Sequence, residues 1–145
     1  EKTIHVIKYS SPESADRRRK AHDKTAGEKI DYEKYQKNKG SEKVRDLYEI
    51  IKDTITSTFD EVMIKPTKTY VGFKHKTNFA DIAVYQTHLK VFINLKSGAL
   101  KDPKNVARDV SSRGHFGNGD YEVRVHNESD ITYVMGLIEQ SYKKN

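Results

Sequence analysis

The sequence has no cysteine, no tryptophan, three prolines and no apolar run approaching eighteen residues. Without thiols it can form no disulfide, thiolate zinc site, iron–sulfur cluster or cysteine nucleophile, a composition that fits a reducing cytosol. With no long apolar run and no charged-then-apolar leader, neither a membrane span nor a secretory signal is expected, so the expectation is a cytoplasmic protein with no membrane partner. Hydrophobic residues are also scarce, at 34% of 145 residues against about 45–50% in typical globular domains, while charged residues reach 33%. A chain of this length holds one domain rather than two, so part of it is expected to lie outside the core. A start at Glu1 rather than Met points to a piece of a larger protein.

Positive charge is plentiful. The net charge is +6, which favours acidic partners, nucleic acid first. Its distribution is uneven: residues 62–108 carry nine Lys/Arg and only Asp81 and Asp102 as acids, a local +7.

The apolar pattern divides the chain. Residues 3–9 are β-prone and read as a strand, with a preceding domain as one origin for it. From Ser10 to Gly40 the only large apolar residues are Ile30, Tyr32 and Tyr35, amid Arg17, Arg18, Arg19, Lys20 and many other charges, so residues 1–40 read as a polar basic linker or surface segment. Ser41 is an N-cap candidate for a helix whose Val44, Leu47, Tyr48, Ile51 and Ile55 fall on one face. Four β-type runs follow, at Val62–Lys65, Thr69–Lys74, Phe79–Tyr85 and Leu89–Leu95, with hairpin-sized separators. In the last run Leu89, Val91, Ile93 and Leu95 alternate with Lys90, Phe92, Asn94 and Lys96, which predicts a sheet buried on one side. Asp102-Pro103 predicts a short helix over Lys104–Arg108. A glycine-rich loop, a strand over Tyr121–His126 and a final helix with Ile131, Val134, Met135, Ile138 and Tyr142 on one face complete the chain. Residues 41–145 are therefore expected to form an α+β two-layer sandwich, an antiparallel meander sheet with an N-terminal and a C-terminal helix on one face.

Several residue groups carry chemistry. Gly114, Gly117, Asn118, Gly119 and Asp120, flanked by Arg113 and His115, fit either a loop whose backbone approaches a phosphate or a tight connection. The run matches neither the P-loop nor the dinucleotide fingerprint. His115, Asp120 and Glu122 are the residue types of acid–base or metal chemistry, against which stand a loop-capping Asp120 and a solvent-facing Glu122. Asp81 followed by Asn94-Leu-Lys96 is spaced loosely like a nuclease site, but a magnesium site needs a second carboxylate where Asn94 stands, and Asp81 reads better as a solvated strand residue or hairpin partner. Lys74, Lys76, Lys90, Phe92, Lys96, Arg108, Arg113 and His115 are the nucleic-acid-binding candidates, with Lys90, Phe92 and Lys96 on one strand face as a lysine surface holding an aromatic. No catalytic residue, metal ligand or cofactor is assigned.

From Ser41 to Asn145 the chain resembles an uncharacterised prokaryotic domain family often labelled "predicted transport protein". The resemblance is carried by Lys68-Thr-Tyr-Val-Gly-Phe-Lys74, Asn78-Phe79-Ala-Asp81, Leu89-Lys-Val-Phe-Ile-Asn94-Leu-Lys96, Asp102-Pro103, Ala107-Arg108-Asp109-Val110-Ser111, the run Gly114-His115-Phe116-Gly117-Asn118-Gly119-Asp120-Tyr121-Glu122, and Ile138-Glu-Gln-Ser-Tyr142. It implies a C-terminal module following restriction-endonuclease-like or other DNA-processing domains, and it points to Lys96, Arg108, Asp109, His115 and Asp120 as motif positions. The expected function is a non-catalytic nucleic-acid-binding or specificity module of a larger DNA-processing, restriction or defence protein, with DNA or another nucleic acid and the upstream domain of the same protein as partners. The alternatives are a protein–protein interaction or homodimerisation module, a domain of a nuclease whose active site lies elsewhere in the full-length chain, and a small enzyme built on His115 and Asp120.

Overall fold

The computed structural model describes Lys8–Tyr9, residues 29–114 and residues 117–145. The Arg17–Lys20 cluster, residues 3–7 of the first strand candidate, His115 and Phe116 lie outside the described residues. The elements run β1 (Lys8–Tyr9), α1 (Tyr32–Lys37), α2 (Glu42–Thr58), β2 (Met63–Pro66), β3 (Val71–Lys74), β4 (Asn78–Val84), β5 (Leu89–Ile93), β6 (Arg108–Asp109), β7 (Tyr121–Val125), a 3-10 turn (Glu128–Asp130) and α3 (Ile131–Lys144).

Helix α2 forms where the apolar spacing predicts. The Ser41 hydroxyl accepts a hydrogen bond from the Val44 N–H at its start. Val44, Leu47, Tyr48, Ile51 and Ile55 are all buried, and each large side chain taken out of water contributes about 1.5–3 kcal/mol. In α3 the buried face is Ile131, Val134, Leu137, Ile138 and Ser141, with Met135 and Tyr142 packed at its margin. A capping box on Asn127 and Asp130 starts the 3-10 turn that leads into it.

The strands form one sheet in the order β1-β2-β3-β4-β5-β7-β6. Six strands pair antiparallel, and β1 joins the edge in parallel, with Lys8 opposite Met63 and Tyr9 opposite Ile64. Ile64, Val71, Phe73, Ile82, Val84, Leu89, Val91, Ile93, Val123 and Val125 meet α2 and α3 in a single core. The pairing slips between Phe73 and Lys74, and Phe79 joins Phe59 (5.7 Å) and Tyr142 (5.1 Å) in an aromatic cluster within that core. The result is an α+β fold. Among the described residues no helix is long and apolar enough to cross a membrane.

Two local expectations need correction. Lys104–Arg108 is not helical. The Asp102 carboxylate accepts hydrogen bonds from the Ala107 N–H (2.7 Å) and the Tyr133 hydroxyl (2.6 Å), Asn105 takes a left-handed φ of 53°, and the chain straightens into β6. Packing also begins before residue 41. Helix α1 is tied down by the wholly buried Gln36, whose side-chain amide donates to the carbonyls of Thr67 and Lys68 and accepts from the Val84 N–H. Glu33 of the same helix accepts from the Tyr48 hydroxyl (2.7 Å) and pairs with Lys52 (2.6 Å) on α2.

Candidate functional site

The sheet face away from α2 and α3 carries the unusual chemistry. Register places Lys65, Gly72, Asp81, Phe92, Glu122 and Arg108 side by side in one row across β2, β3, β4, β5, β7 and β6. Such a row on a solvent face would be wet. Here its centre is covered, because the glycine-rich loop between β6 and β7 lies back across it.

Two glycines permit that cover. A Cβ on Gly117 would fall 2.2 Å from Phe92 Cγ, and one on Gly119 would fall 2.2 Å from the Ile93 carbonyl oxygen and 2.3 Å from Asn94 Cα. Gly119 also holds a φ of +84°, in the region L side chains avoid. Phe92 is consequently 2% exposed. This corrects the reading of the β5 face as an open lysine-and-aromatic surface: the ring is packed under the loop and its face is not offered to solvent.

Asp81 is corrected in the same way, for it is 0% exposed rather than solvated. Its Oδ2 accepts hydrogen bonds from the Asn118 N–H (2.6 Å) and Asn118 Nδ2 (2.9 Å), and its Oδ1 accepts from Asn78 Nδ2 (2.8 Å). Burial pushes its carboxyl up to about 6, and the three donated hydrogen bonds oppose the shift without cancelling it. Glu122, 6% exposed on the far side of Phe92, lies 3.9 Å from Lys90 and 3.7 Å from Arg124.

The remaining loop residues serve the connection. Asp120 donates its N–H to the Leu95 carbonyl, accepts the Val110 N–H at its own carbonyl, and takes the Ser97 N–H at its carboxylate (2.8 Å). Asp109 accepts from the Ser111 N–H and the Ser97 hydroxyl, and the hydrogen bonds from Ser111 and Ser97 hold its carboxyl below the usual range. Asn94 Nδ2 donates to the Asn78 carbonyl, and among the described residues no group of three His, Asp or Glu side chains stands where it could hold a metal ion.

Beside the covered row opens a cleft of about 350 Å³. Lys65, Lys74 and Lys76 line it together with Tyr70, Thr67 and Asn118. Asn118 links cleft and floor, since the residue that lines the cleft also holds Asp81. Two of the candidate cations, Lys74 and Lys76, thus converge, and Lys65, one of the nine basic residues of 62–108, joins them together with Tyr70. The clue to them is strand parity: Tyr70, Gly72 and Lys74 alternate on β3 and its approach, and Lys65 stands opposite Gly72.

Other cations are elsewhere. Lys90 sits 4.8 Å over the Tyr85 ring. Lys96 is exposed beyond the end of β5, Arg108 is exposed on the outermost strand, and Arg113 and Gly114 are exposed in the loop. Lys104 lies 4.9 Å over Tyr133 of α3.

A family model described as "Domain of unknown function (DUF5655)" matches residues 33–145. The chain is also 43% identical over 100 residues to an "Uncharacterized protein" of Haemophilus influenzae, a match covering 69% of this chain and 33% of that protein. The chain thus spans about a third of the length of this curated relative. No solved structure matches it. The family match opens at Glu33, inside the helix that Gln36 docks onto the sheet, and runs through α3 to Asn145. From α1 onward, then, this chain belongs to the DUF5655 family.

Proposed function

We propose that this domain is a non-catalytic nucleic-acid-binding module, working within a longer protein as a C-terminal unit beside a DNA-processing domain. The observation that carries the reading is the cleft on the helix-free face, where Lys65, Lys74 and Lys76 converge beside Tyr70. Three ammonium groups around one concavity attract a phosphate backbone, and the charge of the surrounding stretch, nine basic residues against two acidic ones over 62–108, adds long-range attraction. The hydroxyl of Thr77, also in the lining, supplies a neutral donor for a phosphate oxygen. A nuclease centre on Asp81 finds less support, because that carboxylate is buried and both of its oxygens already accept hydrogen bonds from Asn118 and Asn78. The longer Haemophilus influenzae relative supports a role within a larger chain.

Fluorescence anisotropy with labelled oligonucleotides at low salt tests the proposal. Binding that weakens steeply as salt rises, and that is lost in the Lys65→Glu/Lys74→Glu/Lys76→Glu variant, is the expected result. Absence of binding at low salt, or full binding by that variant, would overturn it.

A further inference from the structure

A second cleft, of about 420 Å³, opens at the other end of β3 and β4. Tyr35 and Lys39 of the α1 region line one side of it, and Lys68, Thr69, Tyr85 and Gln86 line the other. Tyr35 is 42% exposed, with the Lys39 ammonium 5.0 Å from its ring centre. A large ring left this open beside two cations is a stacking platform with its phosphate ligands at hand. Tyr85 makes a fixed wall, since it stacks on His88 at 5.1 Å and 3° and carries Lys90 at 4.8 Å.

The two clefts are neighbours. Lys68 and Thr69 line the second and Tyr70 the first, so three consecutive residues connect them. Along β4 the span from Asn78, in the first, to Tyr85, in the second, is seven residues, roughly 23 Å of strand. Each cleft has a tyrosine and at least two lysines.

From this we infer that the ligand is single-stranded nucleic acid, laid from the Lys74/Lys76 cleft to the Tyr35/Lys39 cleft with a base on Tyr70 and another on Tyr35. The inference rests on the nucleic-acid reading above and specifies its substrate class. A duplex keeps its bases stacked inside and presents only backbone to recessed sites of this size, whereas an unpaired strand can turn bases into both. The Gln36 amide, bonded to Lys68 and Val84, sets the position of the Tyr35 platform relative to the strands.

At about 3.4 Å per stacked nucleotide an eight-residue strand spans both clefts and a three-residue strand does not. The test compares labelled dT8, rU8, dT3 and a 16-base-pair duplex with wild-type protein, Tyr35→Ala and Tyr35→Phe. The expected result is tighter binding of dT8 or rU8 than of dT3 and of the duplex, a loss of about tenfold or more in Tyr35→Ala, and retention in Tyr35→Phe. The dT8 and rU8 arms separate DNA from RNA. Duplex binding as tight as the octamers, or an unchanged Tyr35→Ala, would overturn the single-strand inference while leaving nucleic-acid binding in place. No binding of any probe would overturn both.

Discussion

Asp81 and Asn118, thirty-seven residues apart, are joined by two hydrogen bonds, for the Asn118 N–H and its side-chain amide both donate to Asp81 Oδ2 at 2.6 and 2.9 Å. This pair fastens the loop between β6 and β7 to the middle of the sheet and closes the helix-free face over Phe92. It also fixes Asn118 in the wall of the lysine-lined cleft.

Removing the acceptor should loosen that fastening. Asp81→Ala leaves the Asn118 N–H and the amides of Asn118 and Asn78 without their shared partner, and is expected to cost about 1–3 kcal/mol in urea unfolding. An Asp81→Ala protein as stable as wild type would show that the loop is held by other contacts.

The pH dependence has a definite sign. With the Asp81 carboxyl raised from 3.8 to about 6, the folded protein holds a proton that the unfolded chain releases. This contribution is fully present below pH 3.8 and is lost as pH rises through about 6. The shift corresponds to roughly 3 kcal/mol. The protonated form has an acceptor nearby, since Asn78 Oδ1 is buried without a hydrogen-bond partner and an amide rotation would present it to Asp81. Urea titrations at pH 4.5 and 7 should therefore show a wild-type dependence that Asp81→Asn reduces. Equal pH profiles for the two proteins would refute the assignment.

The loop glycines should not accept side chains. Gly119→Ala meets backbone at 2.2 Å and a φ of +84°, and Gly117→Ala meets the Phe92 ring at 2.2 Å. Each is expected to cost about 1–3 kcal/mol. Gly98→Ala, also at positive φ but with open space around its Cβ, serves as the control for backbone strain alone. If thermal unfolding shows all three alike, close packing of the loop on the sheet is not what the glycines provide.

Gln36 should behave as a core residue despite its polarity. Gln36→Ala strands the Thr67 and Lys68 carbonyls and the Val84 N–H, at about 1–3 kcal/mol. Limited proteolysis should then cut within α1 before the rest of the fold. Unchanged protection of α1 would mean that the Glu33 contacts to Tyr48 and Lys52 suffice.

How much of this was legible depended on how local each signal is. Helix α2 is written in the spacing of Val44, Leu47, Tyr48, Ile51 and Ile55, and its cap in Ser41, because both act within a few residues. The alternation of Leu89, Val91 and Ile93 likewise identifies the core face of β5. Helix α1 escapes such a reading because it docks through an amide, and an isolated Gln among charges carries no hydrophobic signature. The helix expected at 104–108 fails for a related reason: Asp102 has capping chemistry, but Tyr133, thirty-one residues away, shares its carboxylate. The glycine run was legible as a place of close approach. What it approaches is Phe92 and the end of β5, a contact that appears only once β7 is set between β5 and β6. Burial of Asp81 follows from the same long-range closure.

The measurement closest to the central claim is the salt dependence of oligonucleotide binding by wild-type protein and by Lys65→Ala/Lys74→Ala/Lys76→Ala. If the three lysines neutralise backbone phosphates, the slope of log K against log salt should fall in magnitude by about 2 for a single strand in the variant. An identical slope in the two proteins would contradict the assignment of this cleft as the nucleic-acid site.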